Sequence, residues 1–195
     1  HMYVQAKING KGPFRLLLDI GGVNVLVPEI AETLGLVPEG RVAAAGGGAA
    51  KEYVELAKLR SLDIGGITLT DQLFAVIPLR AYGRRVEGME LDGLIGYELF
   101  MRFPGKIDYQ KRQVTFYDPS SFRYAGKGTR LPYRFNGHVP QVEATLDGIP
   151  GVFDLDTGEF VEQTLLWGQH LDLAIWLPAA RLIAGVLRLV LPPVA

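Results

Sequence analysis

One phrase occurs twice in this chain, and both times it runs into an aspartate beside a glycine. VQAKINGKGPFRLLLDIG ends at Gly21, and VEATLDGIPGVFDLDTG ends at Gly158. Val4, Ala6, Ile8 and Gly10 return with the same spacing as Val142, Ala144, Leu146 and Gly148, and after a one-residue gap Asp19 returns as Asp156. Alternating apolar residues, an Asn-Gly or Asp-Gly pair and a second apolar run predict a β-hairpin whose outgoing strand ends at a sharp glycine bend. Two such hairpins deliver two carboxylates that can meet face to face.

The rest of the chain continues in the period of two that marks strands. Tyr3 to Ile8 and Phe14 to Leu18 form the first hairpin, with a further short strand at Val23 to Val27. Pro28 suits the first turn of a short helix that Gly35 ends. Strand-like flanks from Arg41 to Leu62 enclose the run AAAGGGAA, which reads as a hairpin tip, and Leu62 to Ile77 is another hairpin turning at Gly65-Gly66. Tyr82 to Glu90 reads as a polar loop, Tyr97 to Arg102 as a short helix, and KIDY with QVTFY as one more hairpin. The fold class is therefore mainly β with short helices. Pro, Ser, Gly and Lys are concentrated between Asp118 and Tyr133, which divides the chain into a unit at 1–120, a linker at 121–133 and an incomplete second unit at 134–195.

Composition narrows the chemistry. With 48% apolar and 21% charged residues in 195, the chain can bury a sizeable core, and a net charge of −1 offers no basic field for nucleic acid. The absence of cysteine excludes thiol catalysis, disulfides and Cys-rich zinc sites. Only three serines occur, none in a GxSxG elbow, and the glycine run at Gly46 to Gly48 lacks the Lys-Ser/Thr of a phosphate loop. His138 and His170 stand isolated, without the spacing of metal ligands. The apolar stretch from Leu171 is broken by Asp172, Arg181, Arg188 and prolines, so it reads as a core or interface segment rather than a membrane span, with Trp167 and Trp176 as anchors.

Paired aspartates carry a specific chemistry. At a separation of a few ångströms two carboxyls cannot both ionise, so they share one proton and present one base and one acid to a water and a substrate carbonyl. Asp154, two residues before Asp156, points to the same strand face and is the rival for its position; Thr157-Gly158 favours Asp156. Asp92 and Asp108 read as turn residues, and Glu159 as a third acidic group beside the second loop.

In LLLDIGG, FDLDTGE, the Gly46 to Gly48 tip, and DGLIG followed by a short helix and IDY, the chain resembles the retropepsin-like aspartic proteases, in particular bacterial proteins built from two such units. The resemblance spans the first unit from Tyr3 to about Tyr117 and only the start of the second. It implies a retropepsin-like (acid protease) closed β-barrel with short helices, followed by a partial second unit, with Asp19 and Asp156 as catalytic residues. Ile20, Gly21, Thr157 and Gly158 would complete the two loops, Leu94, Ile95 and Gly96 would support them, and Gly46, Gly47 and Gly48 would lie in a flap over a polypeptide substrate. The implied reaction is peptide hydrolysis with neither metal nor cofactor. Export to the periplasm or beyond, with a leader removed, is common among the bacterial proteins of this type.

Two departures set further expectations. Ile20 stands where the family carries a Thr or Ser whose hydroxyl crosses to the opposite loop. Asp19 precedes Gly96 by 77 residues (96 − 19), whereas 39 follow Asp156 (195 − 156), too few for a second complete lobe. The atypical tail fits early termination, a shifted reading frame or a helical replacement. Consequently the pair is either Asp19 with Asp156 in one chain or two copies of Asp19 in a homodimer formed through the first unit. Non-catalytic peptide binding on the same fold is the alternative activity, and a carrier of apolar ligands a weaker third that leaves the repeat unexplained.

Overall fold

The computed structural model describes residues 2–45, 51–109, 111–127, 130–146, 148–158 and 189–190. They fall into two compact units, one comprising His1–Leu18 with Val23–Gly96, the other Asp19–Gly22 with Tyr97–Ala195.

The first unit is a closed barrel. Strands β1 (Tyr3–Ile8) and β2 (Lys11–Leu18) form the anticipated hairpin, followed by β3 (Val25–Leu26), α1 (Pro28–Leu34), β4 (Pro38–Ala45), β5 (Lys51–Ile64), β6 (Ile67–Val76), α2 (Arg80–Glu87) and β7 (Gly93–Ile95). The sheet runs β1-β2-β7-β3-β6-β5-β4, and pairing of β1 with β5 closes six of these strands into a ring, leaving β4 outside it. At the first turn Asn9 and Gly10 both hold positive φ (52° and 78°), the backbone that an Asn-Gly pair tolerates best. Asn9 also pins this turn to β5, its Oδ1 accepting from Arg60 N at 2.9 Å and Ser61 N at 3.0 Å.

Burial on both faces matches the continuous apolar run at the end of β2. Leu16, Leu17 and Leu18 are all buried, so β2, an inner strand paired with β1 and β7, is covered on both of its faces at this end. They join Ile8, Leu26, Leu59, Leu62, Phe74 and Ile95 in the core. The parallel β2–β7 register, Leu17 opposite Leu94 and Leu18 opposite Ile95, places the Leu94-Ile95-Gly96 segment alongside the strand that leads to Asp19. Gly96 is in turn fixed by Asn24, a buried side chain whose Oδ1 accepts from Gly96 N at 2.9 Å. Asn24→Ala leaves that amide without its acceptor, and its expected cost is about 1–3 kcal/mol in urea unfolding; an unchanged midpoint would show that water replaces the side chain.

Two local expectations are corrected. The strand anticipated at Val23 to Val27 shortens to Val25–Leu26, where it pairs with β6 and β7. The polar loop anticipated from Tyr82 to Glu90 is largely helix, α2. Its charges are not simply solvated: the Arg80 guanidinium lies 3.6–3.7 Å from carboxylate oxygens of Glu29, Glu90 and Asp92, and Arg84 pairs with Glu90 at 2.6 Å. These ion pairs tether the helix to its own C-terminal side and to α1.

The second unit contains α3 (Tyr97–Arg102), the hairpin β8 (Gly105–Asp108) and β9 (Gln113–Phe116), and the strands β10 (Arg134–Asn136), β11 (Val139–Leu146), β12 (Ile149–Asp154) and β13 (Leu189–Val190). In its larger sheet β11 pairs with β10, β12 and β13. The alternation that predicted β11 is realised, with Val142 and Ala144 buried and Glu143 exposed. Among the described residues no helix is long and apolar enough to cross a membrane.

Candidate active site

Asp19 directly follows β2, and Asp156 follows β12 by two residues. The exit from β12 is fixed by Leu155 N, which donates to the Pro140 carbonyl at 2.7 Å. The two hairpins of the doubled phrase thus end in two acidic loops whose carboxyls are brought together, the Asp156 carboxyl lying against Gly21 and the Asp19 carboxyl against Gly158 of the opposite loop.

Backbone amides hold both carboxyls. Gly22 N donates to Asp19 Oδ1 at 2.9 Å. Asp156 Oδ1 accepts from Gly158 N at 2.8 Å and from Gly21 N, across from the other loop, at 3.3 Å. A second crossing bond runs from Ile20 N to Thr157 Oγ1 at 3.1 Å. Ile20 therefore enters the interlocked loops through its main chain, although its side chain supplies no hydroxyl, and the buried Thr157 provides the hydroxyl from the opposite side. The glycines are required by close approach: a β-carbon on Gly21 would collide with the Asp156 carboxyl, and one on Gly158 or Gly22 with that of Asp19.

These surroundings push the Asp19 carboxyl up to about 8. Burial is the largest cause, followed by the negative charge of Asp156 and the hydrogen bond to it, partly opposed by the Gly22 and Gly21 amides. The pair therefore retains one proton at neutral pH. A site holding one protonated carboxyl against a second carboxyl can supply an acid and a base together.

The remaining acidic residues have separate uses. Asp154 accepts from Gln141 Nε2 at 2.6 Å, within the β11–β12 pair, so Asp156 and not Asp154 meets Asp19. Asp92 ties β7's approach to β2, accepting from Arg15 N at 2.8 Å, and Asp108 accepts from Lys111 N at 3.0 Å in the β8–β9 turn. Leu94, Ile95 and Gly96 occupy β7 and its end in the first unit. The β4–β5 pairing extends to Ala45 opposite Lys51, while Gly46, Gly47 and Gly48 lie outside the described residues, as do Glu159, Trp167, His170 and Trp176. His138, isolated in sequence, is a satisfied histidine in the structure. Its Nε2 lies 3.0 Å from the Gly21 carbonyl, and its ring stacks on Tyr97. The NGH sequence in a hairpin turn was the available signal, but a long-range contact to a loop more than a hundred residues earlier has no local signature.

Residues 4–99, just under half of the chain, match the family described as aspartyl protease. A retropepsin-like aspartic protease from Rickettsia conorii is 21% identical, with the match covering 55% of this chain and 74% of that one at a TM-score of 0.39. The retroviral protease-like domain of Ddi1 from Leishmania major is 22% identical, covering 59% and 86% at a TM-score of 0.41. No curated protein gives a significant match.

Proposed function

We propose that this chain is an aspartic endopeptidase that hydrolyses peptide bonds through a water held between Asp19 and Asp156 of one chain. The observation carrying this reading is the pair of interlocked glycine loops that set the Asp19 and Asp156 carboxyls against each other, with burial and the Asp156 charge pushing Asp19 up to about 8. One carboxyl of the pair takes a proton from the water as the water oxygen attacks the scissile carbonyl carbon, while the carboxyl that holds the shared proton donates it to the carbonyl oxygen. Proton transfer to the amide nitrogen then accompanies C–N cleavage, and the products are a carboxyl and an amine. In this reading the pair forms within one chain rather than from two copies of Asp19 in a homodimer. The substrate is an extended polypeptide, covered by a flap around Gly46, Gly47 and Gly48, with Leu94, Ile95 and Gly96 supporting the loop. The two-unit organisation, 1–120 and 134–195 about a linker, belongs to the same proposal.

Ile20 favours a second reading, a non-catalytic module that binds peptides on the same fold. Cleavage of an unstructured protein between about pH 4 and 7, blocked by a statine-type mimic of the tetrahedral intermediate, is the expected result for the peptidase. Binding of the same polypeptide without any cleavage would replace it with the module.

A further inference from the structure

We infer that His138 is a positioning residue for Asp19, acting through the peptide group between Gly21 and Gly22. This rests on the peptidase reading only for its kinetic consequence. The Gly21 carbonyl can only accept, so His138 Nε2 carries the hydrogen of the 3.0 Å contact. That carbonyl belongs to the same planar unit as Gly22 N–H, which donates to Asp19 Oδ1 at 2.9 Å. In a trans peptide the C=O and N–H point in opposite directions, so fixing the oxygen aims the amide at the carboxyl. A hydrogen bond to the oxygen also polarises the group and strengthens the donor on its far side.

The device has a rigid mounting. His138 occupies the two-residue turn Gly137-His138, closed by the Asn136–Val139 pair of β10 and β11. Its ring stacks on Tyr97 with centroids 4.9 Å apart, and Tyr97 N donates to the next carbonyl of the loop, that of Gly22, at 3.0 Å. Two successive carbonyls of the Asp19 loop are thereby held by two residues whose rings support each other. The charged groups around this arrangement are Asp156 beside Asp19, and Glu98 of α3, which feels both His138 and Arg102. Neither offers the Gly21 carbonyl a donor.

Two substitutions in the full chain separate hydrogen bond from ring. His138→Phe keeps a stacking ring and removes the donor; His138→Gln removes the ring and keeps an N–H donor. The direct readout is the Asp19 side-chain carboxyl, titrated by carbon-detected NMR without substrate. Loss of the donor weakens the Gly22 amide bond to the ionised form, so the Asp19 midpoint rises in His138→Phe by roughly half a unit or more and returns toward the parent value in His138→Gln. With a peptide substrate, kcat in His138→Phe falls about tenfold or more at little-changed KM, with partial recovery in His138→Gln. A parent-like Asp19 midpoint in His138→Phe would overturn the inference, as would a His138→Gln variant shifted as far as His138→Phe. If the parent cleaves no peptide, the peptidase reading fails, while the substrate-free titration still decides the role of His138.

Discussion

Asp19→Asn is expected to abolish peptide cleavage while making the protein more resistant to denaturant at neutral pH. The loss follows from removing one carboxyl of the pair that shares the proton: an amide cannot deliver one to the carbonyl oxygen, and general acid–base contributions of this kind are worth roughly a hundred- to ten-thousandfold in rate. The gain in stability follows from the same environment that makes Asp19 useful. Its carboxyl titrates near 3.8 when solvated and near 8 in the folded protein, so between those values the folded chain holds a proton that the unfolded chain has released. The unfolded state then binds fewer protons than the native state, and stability falls as pH rises. Below about pH 4 both states are protonated and the penalty vanishes; above about pH 8 it has reached its full size. Each unit of displacement corresponds to about 1.4 kcal/mol, so the penalty at pH 7 is on the order of a few kcal/mol after allowing for relaxation around the pair.

Urea unfolding of parent and variant at pH 4 and pH 7.5 measures it. The Asn variant is expected to match the parent at the lower pH and to exceed it at the higher. Glu98, which burial also pushes up, contributes equally to both proteins and cancels in the difference. Equal stabilities at both pH values would mean that Asp19 titrates as an ordinary surface carboxylate, and the assignment of the shared proton would fall with it. Retained cleavage in Asp19→Asn would remove Asp19 from the reaction altogether. A site that lowers stability at the pH where it works is the usual relation between activity and stability in enzymes.

Legibility followed the distance over which the controlling interaction acts. The β1–β2 hairpin was readable because Asn9-Gly10 and the flanking alternation are local signals, and the same holds for α1, bounded by Pro28 and Gly35, and for α3. Asp19 and Asp156 stood out because repetition makes a long-range relation visible within the sequence itself. By contrast α2 reads as a polar loop because the geometry that pairs Arg80 with Glu90 and Asp92 just beyond the helix, and with Glu29 of α1, is not visible in composition. Asn24 and His138 were missed for the same reason. Each makes its decisive bond to a backbone group far away, to Gly96 N and to the Gly21 carbonyl, and a lone polar residue carries no mark of such a partner. The Ile20 substitution was legible as a missing hydroxyl, but its main-chain bond to Thr157 was not, since every residue offers an amide and only the fold decides which are used.

Gly158→Ala is expected to eliminate activity with little loss of stability, a combination that distinguishes a damaged site from a damaged fold. The added β-carbon would overlap the Asp19 carboxyl, which is the mobile end of a side chain rather than backbone. Relief comes from rotating Asp19 about its own side-chain bonds, a movement that leaves both barrel and sheets intact but breaks the hydrogen bond to Asp156. The equivalent change at Gly21 drives Asp156 aside instead, and because Gly21 N also donates to Asp156 Oδ1 it disturbs the pair from the other loop. In either variant the denaturation midpoint should move by less than the effect of a core deletion such as Phe74→Ala, for which about 3–5 kcal/mol is typical. The accompanying sign lies in Asp19 itself. Once its carboxyl turns away from Asp156 it loses both the charge repulsion and the shared hydrogen bond that raise it, so its titration should move down from about 8 toward the ordinary carboxylate range. An inactive Gly158→Ala protein with an unmoved Asp19 midpoint would show that the pair survives the methyl group, and that the steric role of the glycines lies toward substrate instead.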